Sequence, residues 1–152
     1  MRYYKFYIQK ESDGAAVMET GADFEVYETQ CKFYGGGEVK DLPKRDWYDE
    51  HGEDEFVPDE MKFKSQEMEV KFSYKGNKNS ANNVIKTFMN YLSTGGSMKI
   101  FDEYNQIGRQ SVRFVSISDD AELVRNDSEG DILIFTVKFK VNDPVTNITL
   151  SK

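Results

Sequence analysis

Residue types that could do chemistry concentrate in one stretch, Asp46-Trp47-Tyr48-Asp49-Glu50-His51-Gly52-Glu53-Asp54-Glu55. Hard oxygen ligands at this density suit Ca²⁺. Their spacing is not that of an EF-hand loop, and acidic surface segments ordinarily stay hydrated, so no metal and no cofactor is assigned. A carboxylate pair for glycoside hydrolysis would need a rigid cleft, which a polar stretch of this kind does not promise. His51 is the only histidine, so any Ser-His or Cys-His scheme would have to run through the same stretch. No catalytic residue is therefore expected.

Cys31 is the only cysteine, which rules out an internal disulfide and a zinc cage built of thiolates, and fits a reducing compartment. On a patterned strand face it reads as a small buried hydrophobe. Gly35-Gly36-Gly37 lacks the Lys-Ser/Thr pair and the helix of a phosphate cradle. Trp47, Tyr48 and Phe56 say more. Large rings in a polar, proline-bounded segment either fold back onto the domain or anchor a partner, where aromatic residues are enriched. With Asp49, Glu50, Glu53, Asp54 and Glu55 they form the expected partner-binding set.

The elements that would carry these residues follow from periodicity. Arg2 to Gln9 alternates, with Tyr4, Phe6 and Ile8 on one side and Tyr3, Lys5 and Tyr7 on the other, which predicts a strand. Residues 10–23 read as a loop. Glu25 to Tyr34 alternates again, with Tyr27, Thr29, Cys31 and Phe33 on one face, until the three glycines end it. Residues 35–60 show neither period, hold Pro43 and Pro58, and carry far more acid than base, so a long exposed loop is predicted. Lys62 to Lys75 is the clearest strand, with Met68, Val70, Phe72 and Tyr74 pointing one way.

Ser80 is a suitable N-cap for an amphipathic helix carrying Val84, Ile85, Phe88, Tyr91 and Leu92 on one stripe and stopped by Gly95-Gly96. Four strand-like segments follow. Met98 to Asp102 is short. In Arg109 to Ser118, Val112, Phe114 and Ser116 oppose Arg113, Val115 and Ile117. Ala121 to Asn126 is weaker and leads through a turn at 127–130 into Asp131 to Asn142, with Leu133, Phe135, Val137, Phe139 and Val141 on the core face.

This order predicts an α+β fold: a mostly antiparallel β-sandwich or curled sheet with one amphipathic helix at about residues 80–94. It is expected as a single domain over 1–152, with the acidic loop at about 35–60 and a loosely held tail at about 145–152. The aromatic share of 14% favours strands. A net charge of −7 argues against broad attraction to nucleic acid or an anionic membrane. No apolar run approaches the roughly eighteen residues of a membrane span. Lys5 and Gln9 interrupt any signal-peptide core, so a soluble, cytoplasmically made protein is expected.

The strand–helix–strand order from Met68 to Ile100, the closing hairpin, and the last strand Phe135-Thr136-Val137-Lys138-Phe139-Lys140-Val141-Asn142 running into Asp143-Pro144 carry a resemblance. Over about residues 25–145 the chain resembles the N-terminal ring-forming domain of distal tail proteins of long-tailed, non-contractile bacteriophages. Asp41-Leu42-Pro43-Lys44-Arg45-Asp46-Trp47 through Asp59 is similar to the acidic loop before their central strand. Two departures stand out: such proteins usually carry a second, C-terminal domain, and tail-tube proteins share the same building block. The resemblance implies a non-enzymatic phage or prophage tail component. It would form a homo-oligomeric ring, commonly a hexamer, meet other tail proteins through the loop and strand edges, and let DNA pass without specific binding. Its place would be the virion tail. The alternative from the residues alone is a monomeric binding module whose acidic, aromatic loop holds a basic protein or Ca²⁺.

Overall fold

The structure, a computed structural model, describes residues 4–31, 37–77, 79–117, 122–126 (backbone only) and 130–152. The expectations for Arg2, Tyr3, Phe33, Tyr34, Gly35, Gly36 and most of the 127–130 turn lie outside these residues.

The alternating segments become strands as their periods require. They are β1 (Phe6–Lys10), β6 (Gln66–Gly76), β7 (Met98–Asp102), β8 (Ile107–Ile117), β9 (Glu122–Asn126) and β10 (Gly130–Val141), with β3 (Tyr27–Cys31) and β2 (Val17–Glu19) completing an eight-stranded sheet. Its path is β2-β1-β7-β8-β10-β6-β3, with β9 paired to β10, and every pairing is antiparallel. The α+β fold with a curled sheet holds.

The inward faces of β6 and β10 meet residue for residue. Tyr74 lies opposite Leu133, Phe72 opposite Phe135, Val70 opposite Val137 and Met68 opposite Phe139, all buried. The sheet curls until Phe6 of β1 meets Phe72 of β6 edge-on, ring centroids 5.5 Å apart. Helix α2 (Ala81–Ser93) closes the concave side. Phe88 and Leu92 are buried, and Val84, Ile85 and Tyr91 pack around them. Ser80 is its N-cap residue but makes no side-chain capping bond.

Four expectations change. Residues 10–23 are not all loop: Val17 and Met18 pair with Gln9 and Ile8, and Thr20–Phe24 forms a short helix, α1. The strand is too short to show a period. The helix shows itself only through Phe24, which leans on Phe88 and Tyr91.

Tyr27 and Cys31 do not share a face. Glu28 lies opposite Phe72 and Gln30 opposite Lys71, so Thr29 is an extra, bulged residue that reverses the alternation. Its hydroxyl donates to the Lys71 carbonyl at 3.1 Å. A second bulge, at Val115, turns Ser116 outward and puts Ile117 against the core beside Phe114. Residues 35–60, finally, contain paired backbone, described below.

The tail, expected to be loosely held, lies against the sheet's outer face. Leu150 is buried with Tyr7 and Phe101, and Ile148 packs beside them. Asp143 starts this path. Its Oδ1 accepts from the Val145 and Thr146 N–H groups at 3.3 and 3.2 Å, and its Oδ2 accepts from Gln110 Nε2 at 2.8 Å. The Gln110 bond, then those from Thr146 and Val145, hold the carboxyl down at about 2. The ionised form therefore favours folding above the unfolded carboxylate value, and that contribution is lost as pH falls through about 2. In urea unfolding, the stability gap between the native chain and Asp143→Asn is expected to narrow steadily from about pH 5 to about pH 2. A gap that stays constant over this window would remove the charge from the explanation.

Candidate functional site

The acidic stretch folds as an arm that leaves the sheet between β3 and β6. At its base, Val39 bridges Phe63, the Lys64 N–H donates to the Glu38 carbonyl at 2.7 Å, and the Lys40 N–H donates to the Lys62 carbonyl at 2.8 Å. Further out, β4 (Lys44–Arg45) pairs antiparallel with β5 (Asp54–Glu55). The Phe56 N–H donates to the Pro43 carbonyl at 2.9 Å. Each strand is two residues long, so no hydrophobic period announces it.

Unlike charges hold the two sides together. Lys44 lies opposite Glu55 and Arg45 opposite Asp54, while Lys44 Nζ reaches Glu53 at 3.6 Å. At the base Lys64 lies 3.2 Å from Glu38 and 3.5 Å from Asp41. These ion pairs are exposed, and exposed pairs contribute little stability individually.

At the tip, Trp47 Nε1 donates to Asp54 Oδ2 at 3.1 Å, and the Arg45 guanidinium sits 5.7 Å from the Trp47 ring. The Glu50 N–H donates to the Trp47 carbonyl at 3.2 Å, which turns the chain back. The expected partner-binding residues thus sit together on one hairpin. Asp49 and Glu50 are at the turn, Glu53, Asp54 and Glu55 follow on the return side, and Trp47, Tyr48 and Phe56 stand among them. The rings do not fold back onto the sheet: Tyr48 is fully exposed at 101%, Phe56 is 66% exposed and Trp47 44%. Pro43, Lys44, Arg45, Asp54, Glu55 and Phe56 line a shallow depression of about 370 Å³ on the arm. His51 is exposed at the turn.

A second constellation was not anticipated. Glu28 and Cys31 of β3 face Asp102 of β7, and their ligand atoms all lie within 4.8 Å of one another. Asp102 is fully buried and Cys31 is 5% exposed. The Glu28 carboxyl is hydrogen-bonded to that of Asp102; burial first, and Asp102 second, push it up to about 7. Burial, reinforced by the two carboxyls, also pushes the Cys31 thiol up. Tyr4, Glu28, Thr29 and Tyr104 line a depression of about 350 Å³ at this end of the core, with the Tyr4 and Tyr104 rings 4.4 Å apart. One sequence signal was available. Asp102 continues the inward series Met98, Ile100, so a carboxylate stands where the period asks for an apolar side chain.

No family model and no curated protein sequence matches this chain. Among solved structures it is similar to the SPP1 Dit protein (gp 19.1), described as a paradigm of the hub adsorption apparatus in phages infecting Gram-positive bacteria. The TM-score is 0.61 at 12% sequence identity, over 91% of this chain and 50% of that one. The chain thus spans half the length of the protein it matches, and at this identity the likeness is one of fold.

Proposed function

We propose that this chain is a structural, non-enzymatic component of a phage or prophage tail, of the distal tail or tail-tube type. It assembles with its own copies into a ring and meets other tail proteins. The observation that carries this reading is the likeness of fold to a phage hub protein over 91% of the chain. The reading places the chain in the virion tail, after synthesis in the host cytoplasm, as one folded unit. DNA passes through the ring without being specifically bound.

The molecule's edges fit such a role. Among the described residues, strands β2 and β3 end the sheet's path, each with one side not hydrogen-bonded to another strand. Exposed edges invite uncontrolled pairing, and closure against a neighbour in a cyclic assembly covers them. The arm contributes the anchors. An isolated two-stranded hairpin is marginal in water, and one that presents Trp47, Tyr48 and Phe56 is suited to ordering against a neighbour.

The test is absolute mass by light scattering over a concentration series, with negative-stain images of any large species. A discrete ring at a fixed multiple of 17.6 kDa is the expected result. A monomer at all concentrations whose melting temperature rises with Ca²⁺ or a basic protein would favour a monomeric binding module instead. Replacing Trp47 and Tyr48 together by Ala is expected to shift the mass toward monomer. Unfolding free energy should change by no more than about 0.5 kcal/mol, as at other exposed positions. Unimpaired assembly of that variant would remove the arm from the interface.

A further inference from the structure

The cluster of Glu28, Cys31 and Asp102 is gathered within one chain, and the proposed tail role does not call on its chemistry. We infer that it is a site for a zinc-type divalent cation, held by the Cys31 thiolate and the Glu28 and Asp102 carboxylates, with a water as fourth ligand.

The donor set selects the ion. One sulfur and two carboxylate oxygens suit a borderline ion such as Zn²⁺. Mg²⁺ and Ca²⁺ favour oxygen alone, and Cu⁺ favours soft sulfur. Burial separates this cluster from the hydrated acids of the arm, since Asp102 is fully buried and Cys31 nearly so. Among the described residues no Lys or Arg forms an ion pair with Glu28 or Asp102. Two carboxyls in contact in a buried setting repel one another when both are ionised, and a cation between them removes that cost. The Cys31 thiol, on the same side of β3, makes no hydrogen bond among the described residues and lies within 4.8 Å of both carboxyls.

The surroundings of a metal ligand are already in place. Asp102 Oδ1 accepts from the Tyr104 N–H at 3.0 Å and its Oδ2 from Asn105 Nδ2 at 2.5 Å, which fixes the carboxylate plane as outer-shell partners of a ligand do. The depression between Tyr4 and Tyr104 gives water and ion a route to Glu28. The charge also balances. A divalent ion enters as the Cys31 S–H proton, and any proton held between the carboxyls, leaves for solvent, so the ion's charge is offset by the anionic ligands it gathers. Strands β3 and β7 are not hydrogen-bonded to each other, and the ion would tie one part of the curled sheet to another.

The test uses the untagged, metal-stripped chain with Zn²⁺ and, as a spectroscopic probe, Cd²⁺. One equivalent of Cd²⁺ should give a thiolate-to-metal charge-transfer band in the ultraviolet. Zn²⁺ should raise the melting temperature and release at least about one proton per ion, that of the Cys31 thiol, into a weakly buffered indicator solution. Cys31→Ala should abolish the band. Glu28→Gln keeps a hydrogen-bond donor to Asp102, and with it the fold, and should lower Zn²⁺ affinity by at least about tenfold. The inference is overturned if the native chain shows neither band nor melting shift. Undiminished Zn²⁺ binding in both variants would also overturn it, because the ion would then sit on the acidic arm. Ring assembly is read separately, by light scattering, so failure of the metal site and failure of the tail reading are distinguishable.

Discussion

Replacing Phe72 by Ala is expected to lower the unfolding free energy by about 3–5 kcal/mol, the range for large-to-small changes at fully buried aromatic positions. Phe72 is the hub of the core. Its ring meets Phe6 at 5.5 Å, Phe88 at 5.3 Å and Phe135 at 5.8 Å, so one side chain joins β1, α2 and β10. Three of these contacts vanish together, and the cavity cannot collapse without moving both the helix and the sheet. Since domains are stable by only about 5–15 kcal/mol, the variant should melt far earlier or fail to fold. Urea unfolding measures the change, with Tyr48→Ala as the exposed aromatic control. A loss at Phe72 below about 1 kcal/mol would show that the rings are not packed as described.

Gly108→Ala is expected to be the costliest single-methyl addition, at about 1–3 kcal/mol. A Cβ at this position would collide with the carbonyl oxygen and side chain of Ile148. The Gly108 N–H also donates to Asn147 Oδ1 at 2.9 Å, and the Gly108 carbonyl accepts from the Ile148 N–H at 3.3 Å. The chain after Pro144 is thus held by backbone approach that any side chain at Gly108 would block. Displacing it uncovers Tyr7 and Phe101. Limited proteolysis should then cut the variant within 145–152 before any other site, while the native chain resists there. Equal resistance in both would mean that the tail does not depend on Gly108.

The fold was legible wherever one face is dry and the other wet. The alternations of β6 and β10 and the stripe of α2 announce themselves, because burial dictates the residue at every second or every third and fourth position. What escaped has definite physical causes. The bulges at Thr29 and Val115 each add one residue to a strand, and a period of two cannot reveal where its phase will slip. The arm is ordered by charge pairing and backbone bonds between residues of little apolar character, so its hairpin has no pattern to detect. The packing of the tail had no signal, because Ile148 and Leu150 are isolated apolar residues in a polar run, and the surface they cover lies across β7 and β1. The composition of the arm was readable at once, including the rings at Trp47, Tyr48 and Phe56. The cluster of Glu28, Cys31 and Asp102 was not, since its members come from strands far apart in sequence and only the curl of the sheet brings them together.

The long β6–β10 ladder has a consequence for how the chain reaches this structure. It pairs residues 66–76 with 131–141, so α2, β7, β8 and β9 all lie within the loop that its formation must close. Contacts of such sequence separation pay their closure entropy before they return any stability, and they make folding slow compared with helical proteins of the same size. Until the ladder zips, two long strands with alternating Phe, Val and Leu stand unpaired and available to other chains. The crowded interval just after synthesis is therefore the most hazardous in this protein's life, and the rate at which β10 finds β6 governs how much of it escapes aggregation.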